Sequence, residues 1–562
     1  MELPPGIIFL LQRSHKIALP PAFTYVAARV LASDYFYDFQ LSWWTLSAAM
    51  LAGLPLALTI SVAWVELSIK LDAARRGAVM PPRTGDWTPG NILSLINAMK
   101  SFSNGYPGEM LEKTCANING CLQQSYTIRR QIITAELEHM KAMLATQFDV
   151  FEKGSETREL IYPLLGTGVF AADGDLWKFH RSMTRPYFTR EHIGDFDNFD
   201  RHAEDAISQL KRRLREGYPA DFQASGLPYP YYVNAGRAAG TKTYEHPALR
   251  FVNAFSEAQM ITAQRMRFGS SWPLQEFWYD TMKEPMKIVH RFGDPIVAEA
   301  IKRKREGRSD LEEKDDETLL ENLVNSTEDH ITLRDEIMSL LVAGRDTTAS
   351  TLTFVVYMLA EHPERRPTYD DFRDMKYLRA VINETLRLYP PVPFNMRTPN
   401  APTVLPSSPG SEDKPIYIPA YTRYTCFDRE DLWGPDALEF DPDRFLDHRL
   451  HKYLTPNPFI FIPFNAGPRI CLGQQFAYHE TSFFLVKLLQ HFSDISLATD
   501  AQPPESRAPV EWAEDATNPR KQREKIRPKS HLTMYIQDGL WVTMEEAKDL
   551  QSQIFTSEFY IF

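Results

Sequence analysis

The chain has few cysteines and no excess of basic residues, and both deficits exclude classes of protein. Only 4 of its 562 residues are cysteine, too few for the disulfide frameworks of small secreted domains. Its 73 acidic residues outnumber 62 basic ones, for a net charge of −11. Nucleic-acid binding needs a positive field that displaces counterions. We therefore expect no nucleic-acid partner.

Charged side chains are absent from residues 41–65, near the N-terminus. As a helix, these residues would extend about 37 Å, enough to cross a hydrocarbon core of ~30 Å. Trp43 and Trp44 at one end and Trp64 at the other suit two membrane interfaces better than a buried core helix. Four basic residues follow the span: Lys70, Arg75, Arg76 and Arg83. By the positive-inside rule, they predict a cytosolic main domain.

These features predict an order of segments along the chain. Residues 1–40 form a luminal or interfacial segment, because the apolar run at 6–11 is too short to cross. Residues 41–65 form a single transmembrane helix, and the proline-rich residues 66–90 form a linker. Residues 91–545 form one mostly α domain with a minor β sheet, followed by a tail at 546–562. Helical patterns cover residues 128–146, 175–183, 196–216, 248–265, 274–305, 331–361, 375–388 and 473–492, and extended patterns cover 403–422 and 532–542.

The most specific motif is a glycine-bearing loop, residues 464–473, that leads into an apolar helix. Cys471 lies just before the N-terminus of that helix, where backbone N–H groups and the helix dipole favour thiolate over thiol. Arg469 offers a bidentate donor for a carboxylate. Gly467 and Gly473 let the backbone approach a flat group closely. A thiolate, a cation and small residues together suit a haem-thiolate site.

This loop resembles the cysteine loop of cytochrome P450 monooxygenases, Phe-x-x-Gly-x-Arg-x-Cys-x-Gly. All five fixed positions are present, as Phe464, Gly467, Arg469, Cys471 and Gly473. The alternative is a structural cysteine in a chance pattern. The resemblance covers roughly residues 70–545 and implies a P450 fold that binds haem (heme, iron protoporphyrin IX). It also implies that Cys471 is the axial ligand of the haem iron.

A second motif, Ala-Gly-Arg-Asp-Thr-Thr at 343–348, lies inside a long helical pattern. A glycine followed by a threonine permits a local distortion of the helical hydrogen bonds. In the family this helix crosses the distal face of the haem. The resemblance therefore implies that Thr347 and Asp346 deliver protons during oxygen activation. Taken alone, the motif would also fit a helix cap or a surface Asp-Thr pair.

Two further motifs follow the family order. Glu384 and Arg387 share one helix face, and with Arg444 they resemble the family's buried ionic triad, which fixes the cysteine loop against the core. An exposed ion pair is the alternative. Trp177 and Arg181 resemble the helix that meets the haem propionates. The resemblance also makes Arg397 and Arg469 propionate ligands. His180 is either a hydrogen-bonding residue behind that site or a surface histidine.

Within the family, residues 386–395, 432–445 and 469–480 resemble the fungal membrane-bound alkane and fatty-acid hydroxylases. The pattern departs from the family in two places, where one helix is missing near residue 223 and another near residue 364. Each gap leaves the flanking sequence intact. Losing a packed helix costs stability, because burial of apolar surface contributes ~25 cal/mol/Å².

We predict a membrane-anchored haem-thiolate monooxygenase on the cytosolic face of the endoplasmic reticulum. It inserts one oxygen atom from O2 into a C–H bond of an apolar substrate, a long-chain alkane or fatty acid. The resemblance implies that an NADPH-dependent flavoprotein reductase supplies the electrons. One alternative is a haem-thiolate isomerase or dehydratase that needs no reductase. Another is an inactive membrane haem-binding protein or splice product.

Overall fold

The computed structural model describes residues 3–547, apart from 36–41, 87, 89–90, 110–120, 127–128, 189–195, 226–246, 307–317, 368–374, 408–413, 421–422, 427–429 and 517. Helices make up most of it. The N-terminal half contains α1 (Pro5–Tyr35), α2 (Trp43–Arg75), α3 (Ile92–Asn104), α4 (Leu137–Lys141), α5 (Ser155–Leu165), α6 (Gly174–Thr184), α7 (Phe196–Arg215), α8 (Phe222–Ser225) and α9 (Pro247–Phe268). The C-terminal half contains α10 (Lys283–Arg305), α11 (Leu319–Ser326), α12 (His330–Leu341), α13 (Thr347–Glu361), α14 (Lys376–Leu388), α15 (Asp447–Tyr453), α16 (Gln474–His491), α17 (Val510–Glu514) and α18 (Pro519–Arg523).

The strands are short and form small sheets. They are β1 (Arg83–Thr84), β2 (Cys121–Tyr126), β3 (Arg129–Thr134), β4 (Phe151–Glu152), β5 (Ala220–Asp221), β6 (Asn395–Pro399), β7 (Thr403–Leu405), β8 (Ile416–Ile418), β9 (Arg423–Cys426), β10 (Phe492–Leu497), β11 (Pro528–Ser530), β12 (Met534–Ile536) and β13 (Trp541–Glu546). Among the described residues, a six-stranded sheet has the order β1-β2-β3-β9-β6-β4, and β10-β13-β5, β11-β12 and β7-β8 form smaller ones. The predicted fold class, mostly α with a minor sheet, is confirmed.

Two predicted helices are wrong at their N-terminal ends. Residues 128–146 do not form one helix: β3 pairs in parallel with β9 at Gln131 opposite Arg423, and α4 begins only at Leu137. The β-branched Ile132 and Ile133 are fully buried there and suit a strand. The helix predicted from residue 274 begins at Lys283, after a 3-10 turn over residues 269–274.

One long helical segment crosses the middle of the domain. It consists of α12, a π-turn over Val342–Asp346, and α13. The π-turn is the distortion that the Gly-Thr pattern predicts. Nearly every residue of α13 from Thr348 to Leu359 is buried, as expected for a helix that carries no charged side chain before Glu361. This central helix therefore holds residues 342–347 in place inside the domain.

The N-terminal helices differ from the domain in exposure. By length and composition, Trp43–Arg75 could cross a membrane, and only 6% of its most apolar 18 residues are buried inside the protein. This helix includes all but the first residues of the predicted 41–65 span and runs ten residues beyond it. Helix α1, of nearly the same length, packs along it. The two gaps relative to the family lie at or beside segments outside the described residues, 226–246 and 368–374, and they stay predictions.

Candidate active site

The cysteine loop is folded back on itself before α16. The Cys471 N–H donates to the Phe464 carbonyl oxygen at 2.9 Å, and the Ile470 N–H donates to the Gly467 carbonyl oxygen at 3.0 Å. Gly467 has φ +67°, and a Cβ there would collide with the carbonyl oxygen of Leu144. Glycine is therefore required at this position. The folded loop leaves Cys471 exposed.

The surroundings of the Cys471 sulfur act on its charge in opposite directions. Burial on its enclosed side raises the pKa of the thiol, while the Gly473 N–H and the Arg181 charge lower it by smaller amounts. The net direction is opposite to the thiolate-favouring effect expected from the helix N-terminus, because desolvation outweighs the Gly473 hydrogen bond and the Arg181 charge. A metal ion bound to the sulfur would displace the proton.

Three of the predicted propionate-binding residues meet beside this loop. Arg469 forms an ion pair with Asp173 at 2.8 Å, and Arg181 donates to the carbonyl oxygen of Ile470 at 3.0 Å. The Trp177 ring lies against both guanidinium groups, 4.7 Å from Arg469 and 5.6 Å from Arg181. Helix α6 therefore brings Trp177 and Arg181 to the cysteine loop, four residues apart on one face.

The remaining predicted residue, Arg397 on β6, is 2% exposed and lies near Arg469 and a lysine that the sequence did not single out. Burial and the charges of Arg397 and Arg469 hold the pKa of Lys153 well below its usual range, and Asp173 opposes them. Asp173 is already shared, since it also pairs with Arg158 at 3.1 Å. The buried Arg469 Nε has no hydrogen-bond partner in the part of the chain that the structure describes. The cluster can therefore take further acid groups.

The π-turn places the predicted proton-delivery residues on the central helix. The Thr347 hydroxyl donates to the Ala343 carbonyl oxygen at 2.5 Å, so its proton is used within the helix and its oxygen stays available as an acceptor. Asp346 accepts a 2.7 Å hydrogen bond from the Gln259 amide of α9. Burial raises the pKa of Asp346, although the charge of Arg345 and the Gln259 hydrogen bond lower it.

A second carboxyl group connects the central helix to the helix after the cysteine loop. Burial raises the pKa of Glu480 to about 7, and a hydrogen bond with Thr348 opposes the shift. Glu480 lies on α16, and Thr348 follows Thr347 directly. The sequence did not single out Gln259, Glu480 or Lys153, because each is defined only by a contact between distant segments.

The structure brings together Glu384, Arg387 and Arg444. Arg387 donates to both Glu384 carboxylate oxygens, at 2.7 and 2.9 Å, and the Arg444 Nε lies 3.3 Å from Glu384 Oε1. Glu384 and Arg444 have no exposed surface. Arg444 also donates to the Trp433 carbonyl oxygen. The cluster ties α14 to the segment that precedes the cysteine loop.

His180 is not a surface histidine, because it is 1% exposed. Its Nδ1 contacts the carboxylate of Glu336, a residue of α12 with no exposed surface. This pair joins helix α6, which carries Trp177 and Arg181, to the central helix. This burial rules out a surface histidine, and the hydrogen-bonding role of His180 stays a prediction.

Comparison with known proteins identifies the family. A model described as Cytochrome P450 matches residues 108–514. The chain belongs to the cytochrome P450 family. Similar curated proteins include cytochrome P450 monooxygenase g430 of Fusarium sp, 35% identical over 66% of this chain and 72% of the relative. Cytochrome P450 52A5 of Candida maltosa is 32% identical over 74% of this chain and 80% of the relative.

The P450 fold is supported independently by a solved structure. A crystal structure of a cytochrome P450, CYP102L1, has a TM-score of 0.60 and covers 83% of this chain and 99% of its own, at 19% identity. The predicted family, fold class and enzyme class, a P450 monooxygenase, are thus confirmed. Family membership implies a haem-thiolate cofactor. The site of this P450 chain fits that group, because an exposed cysteine lies in a glycine-bearing loop beside a cluster of cations that can bind two propionates.

Proposed function

We propose that this P450 inserts one oxygen atom from O2 into a C–H bond of an apolar substrate, a long-chain alkane or fatty acid. An NADPH-dependent flavoprotein reductase would supply the electrons. The proposed location is the cytosolic face of the endoplasmic reticulum membrane. The observation that carries the proposal is the placement of Cys471. Cys471 is exposed, and Arg181 and Arg469 lie around the same loop.

Haem, when bound through a cysteine thiolate, supplies the oxygen activation itself. The residues of this chain would hold and orient it. Cys471 would be the iron ligand, and Arg469, Arg397, Arg181 and Trp177 would bind the propionate side. Lys153 joins this set by its position beside Arg397 and Arg469. Phe464, Gly467 and Gly473 keep the loop close enough for the sulfur to reach a planar group.

Asp346 and Thr347, on the central helix, would hold and relay protons. A buried carboxyl group with a raised pKa holds a proton more readily than an exposed one. The Thr347 oxygen can accept a hydrogen bond from water and so fix the position of a proton donor. The glutamate-arginine cluster of Glu384, Arg387 and Arg444 would hold the cysteine loop in register with these groups.

An apolar substrate is supported by the side chains next to Asp346 and Gln259. Helices α5, α9, α10 and the central helix share one buried apolar cluster, which includes Leu165, Phe255, Ala258, Met286 and Val342. Leu532, in the turn between β11 and β12, packs against the same cluster. Desolvation in such a setting favours hydrocarbon over polar ligands.

The test is an activity assay with a P450 reductase added to the haem-loaded protein. We expect NADPH-dependent O2 uptake and a hydroxylated product from dodecane or lauric acid. Isomerisation or dehydration of a hydroperoxide substrate itself, without reductase or NADPH, would instead identify an isomerase or dehydratase. Haem binding with no turnover under either condition would identify an inactive haem-binding protein.

A further inference from the structure

The N-terminal helix α1 does not lie apart from the membrane helix but packs along it. A Cβ on Gly53 of α2 would collide with the Thr24 hydroxyl of α1, and the carbonyl oxygen of Pro20 lies 3.3 Å from the same point. Gly53 is buried, whereas its neighbours Leu51 and Ala52 are exposed. Small residues allow such close helix contacts in membranes.

From this contact we propose that α1 crosses the bilayer together with α2, so that the chain is anchored by two antiparallel spans. The N-terminus would then lie on the same side as the catalytic domain. This arrangement replaces the single span with a luminal segment 1–40 that the sequence predicts. Lipid would cover the outer faces of both helices.

If α2 crosses the bilayer, the geometry requires α1 to cross it as well. The helices touch at Thr24 and Gly53, which lie at about equal distances along the chain from the connecting residues 36–42, so they run antiparallel. At its far end the Gly6 N–H donates to the carbonyl oxygen of Phe277 at 3.0 Å. Phe277 belongs to the main domain, between α9 and α10. A helix that starts at that domain and runs beside α2 must cross wherever α2 crosses.

The register of the two helices puts the polar part of α1 at a membrane interface. Because Thr24 lies level with Gly53, Arg13 lies about level with Trp64, one of the predicted interfacial tryptophans. The rest of α1, residues 17–35, spans about 28 Å. Its only charged residues are Arg29 and Asp34. Asp34 lies near the end, and the Arg29 side chain is long enough to reach toward the headgroups.

The distribution of charge favours two spans over one. A luminal segment 1–40 would carry Arg13, Lys16 and Arg29 on the side where basic residues are rare. With two spans, Arg13 and Lys16 join the basic residues after α2 on the cytosolic side. Residues 30–42, the last turns of α1 and the connection to α2, then contain two aspartates and no lysine or arginine.

Apolar residues on the outer surface of α1 also require an apolar environment. Phe23, Val26 and Val30 are 76%, 56% and 49% exposed. They lie along the segment that would cross the hydrocarbon core. Water would solvate this surface poorly, whereas lipid tails match it.

The topology can be tested on the full-length protein in sealed microsomes. One form carries an epitope tag with an N-glycosylation acceptor before Met1, and a second carries the same tag, with spacers, between Asp38 and Phe39. A third carries it after Phe562 as a cytosolic control. We expect the first and third tags to be digested by added protease and to stay unglycosylated. The second should be protected and glycosylated.

A protected, glycosylated tag before Met1 would overturn the proposal in favour of a single span. Digestion of the tag between Asp38 and Phe39 would overturn it too, because both helices would then lie on the cytosolic surface. These measurements need no turnover, so a wrong topology is distinguishable from a wrong monooxygenase assignment.

Discussion

The side-chain amide of Gln259 donates a 2.7 Å hydrogen bond to the carboxylate of Asp346. Gln259 is 1% exposed and lies on α9, among the apolar residues that surround the proposed substrate region. Asp346 closes the π-turn of the central helix. The bond therefore connects α9, beside the proposed substrate region, to the residue proposed to supply protons.

Replacing Gln259 with leucine should reduce the fraction of NADPH that ends in product. Without the amide, the Asp346 carboxylate loses its donor and its pKa rises further. We expect a several-fold fall in product per NADPH, with substrate binding largely retained. Gln264→Leu, at an exposed position of the same helix, is the control. An equal effect of both substitutions would mean that Gln259 only stabilises α9.

Replacing Thr347 with alanine should uncouple the reaction more strongly. A positioned proton donor or relay contributes roughly 10²–10⁴-fold to such steps. We expect hydrogen peroxide to replace hydroxylated product while NADPH is still consumed, and Thr347→Ser to restore the ratio. The measurement is product and peroxide per NADPH. An unchanged ratio in Thr347→Ala would exclude this residue from proton delivery.

The sequence predicted the loop around Cys471 and the Glu384–Arg387–Arg444 cluster well, because both are local motifs with fixed spacing. It did not predict β3, because Ile132 and Ile133 fit a helical pattern as well as a strand until β9 pairs beside them. Nor did it predict Gln259 or Lys153. Their roles arise from contacts between segments far apart in the chain, and neither residue belongs to a motif.

Lys153 provides a test of the proposed propionate side. Lys153→Met should speed haem loss to excess apomyoglobin by roughly 10–100-fold, because a hydrogen bond to a charged group contributes about 1.5–3 kcal/mol. Lys178→Met, which removes an exposed lysine paired with Asp175, is the control. If Lys153→Met raises the melting temperature without affecting haem loss, Lys153 merely repels Arg397 and Arg469.

Glu480 predicts a pH dependence of stability. Its pKa of about 7 in the folded chain, against 4.5 for the ordinary group, makes its neutral form the favoured one. This contribution is complete below pH ~4.5 and is lost as pH rises through ~7, in total about 3 kcal/mol. Glu480→Gln stays neutral. Its melting temperature, relative to that of wild type, should therefore rise from pH 5 to pH 8.

The check is thermal unfolding of detergent-solubilised wild type and Glu480→Gln at pH 5 and at pH 8. Glu511→Gln, at an exposed position, should leave the pH dependence as in wild type. A constant difference between Glu480→Gln and wild type at both pH values would contradict the burial of a titrating carboxyl group beside Thr348.

The most direct test of the central claim is the carbon-monoxide difference spectrum of the reduced, full-length protein and of its Cys471→Ser variant. If Cys471 is the haem ligand, the wild type gives the strongly red-shifted band of thiolate-ligated haem. The variant, with a poorer donor at the iron, should give a less shifted band or none, and should lose turnover. The red-shifted band and full turnover in a folded Cys471→Ser protein would contradict the assignment of the site.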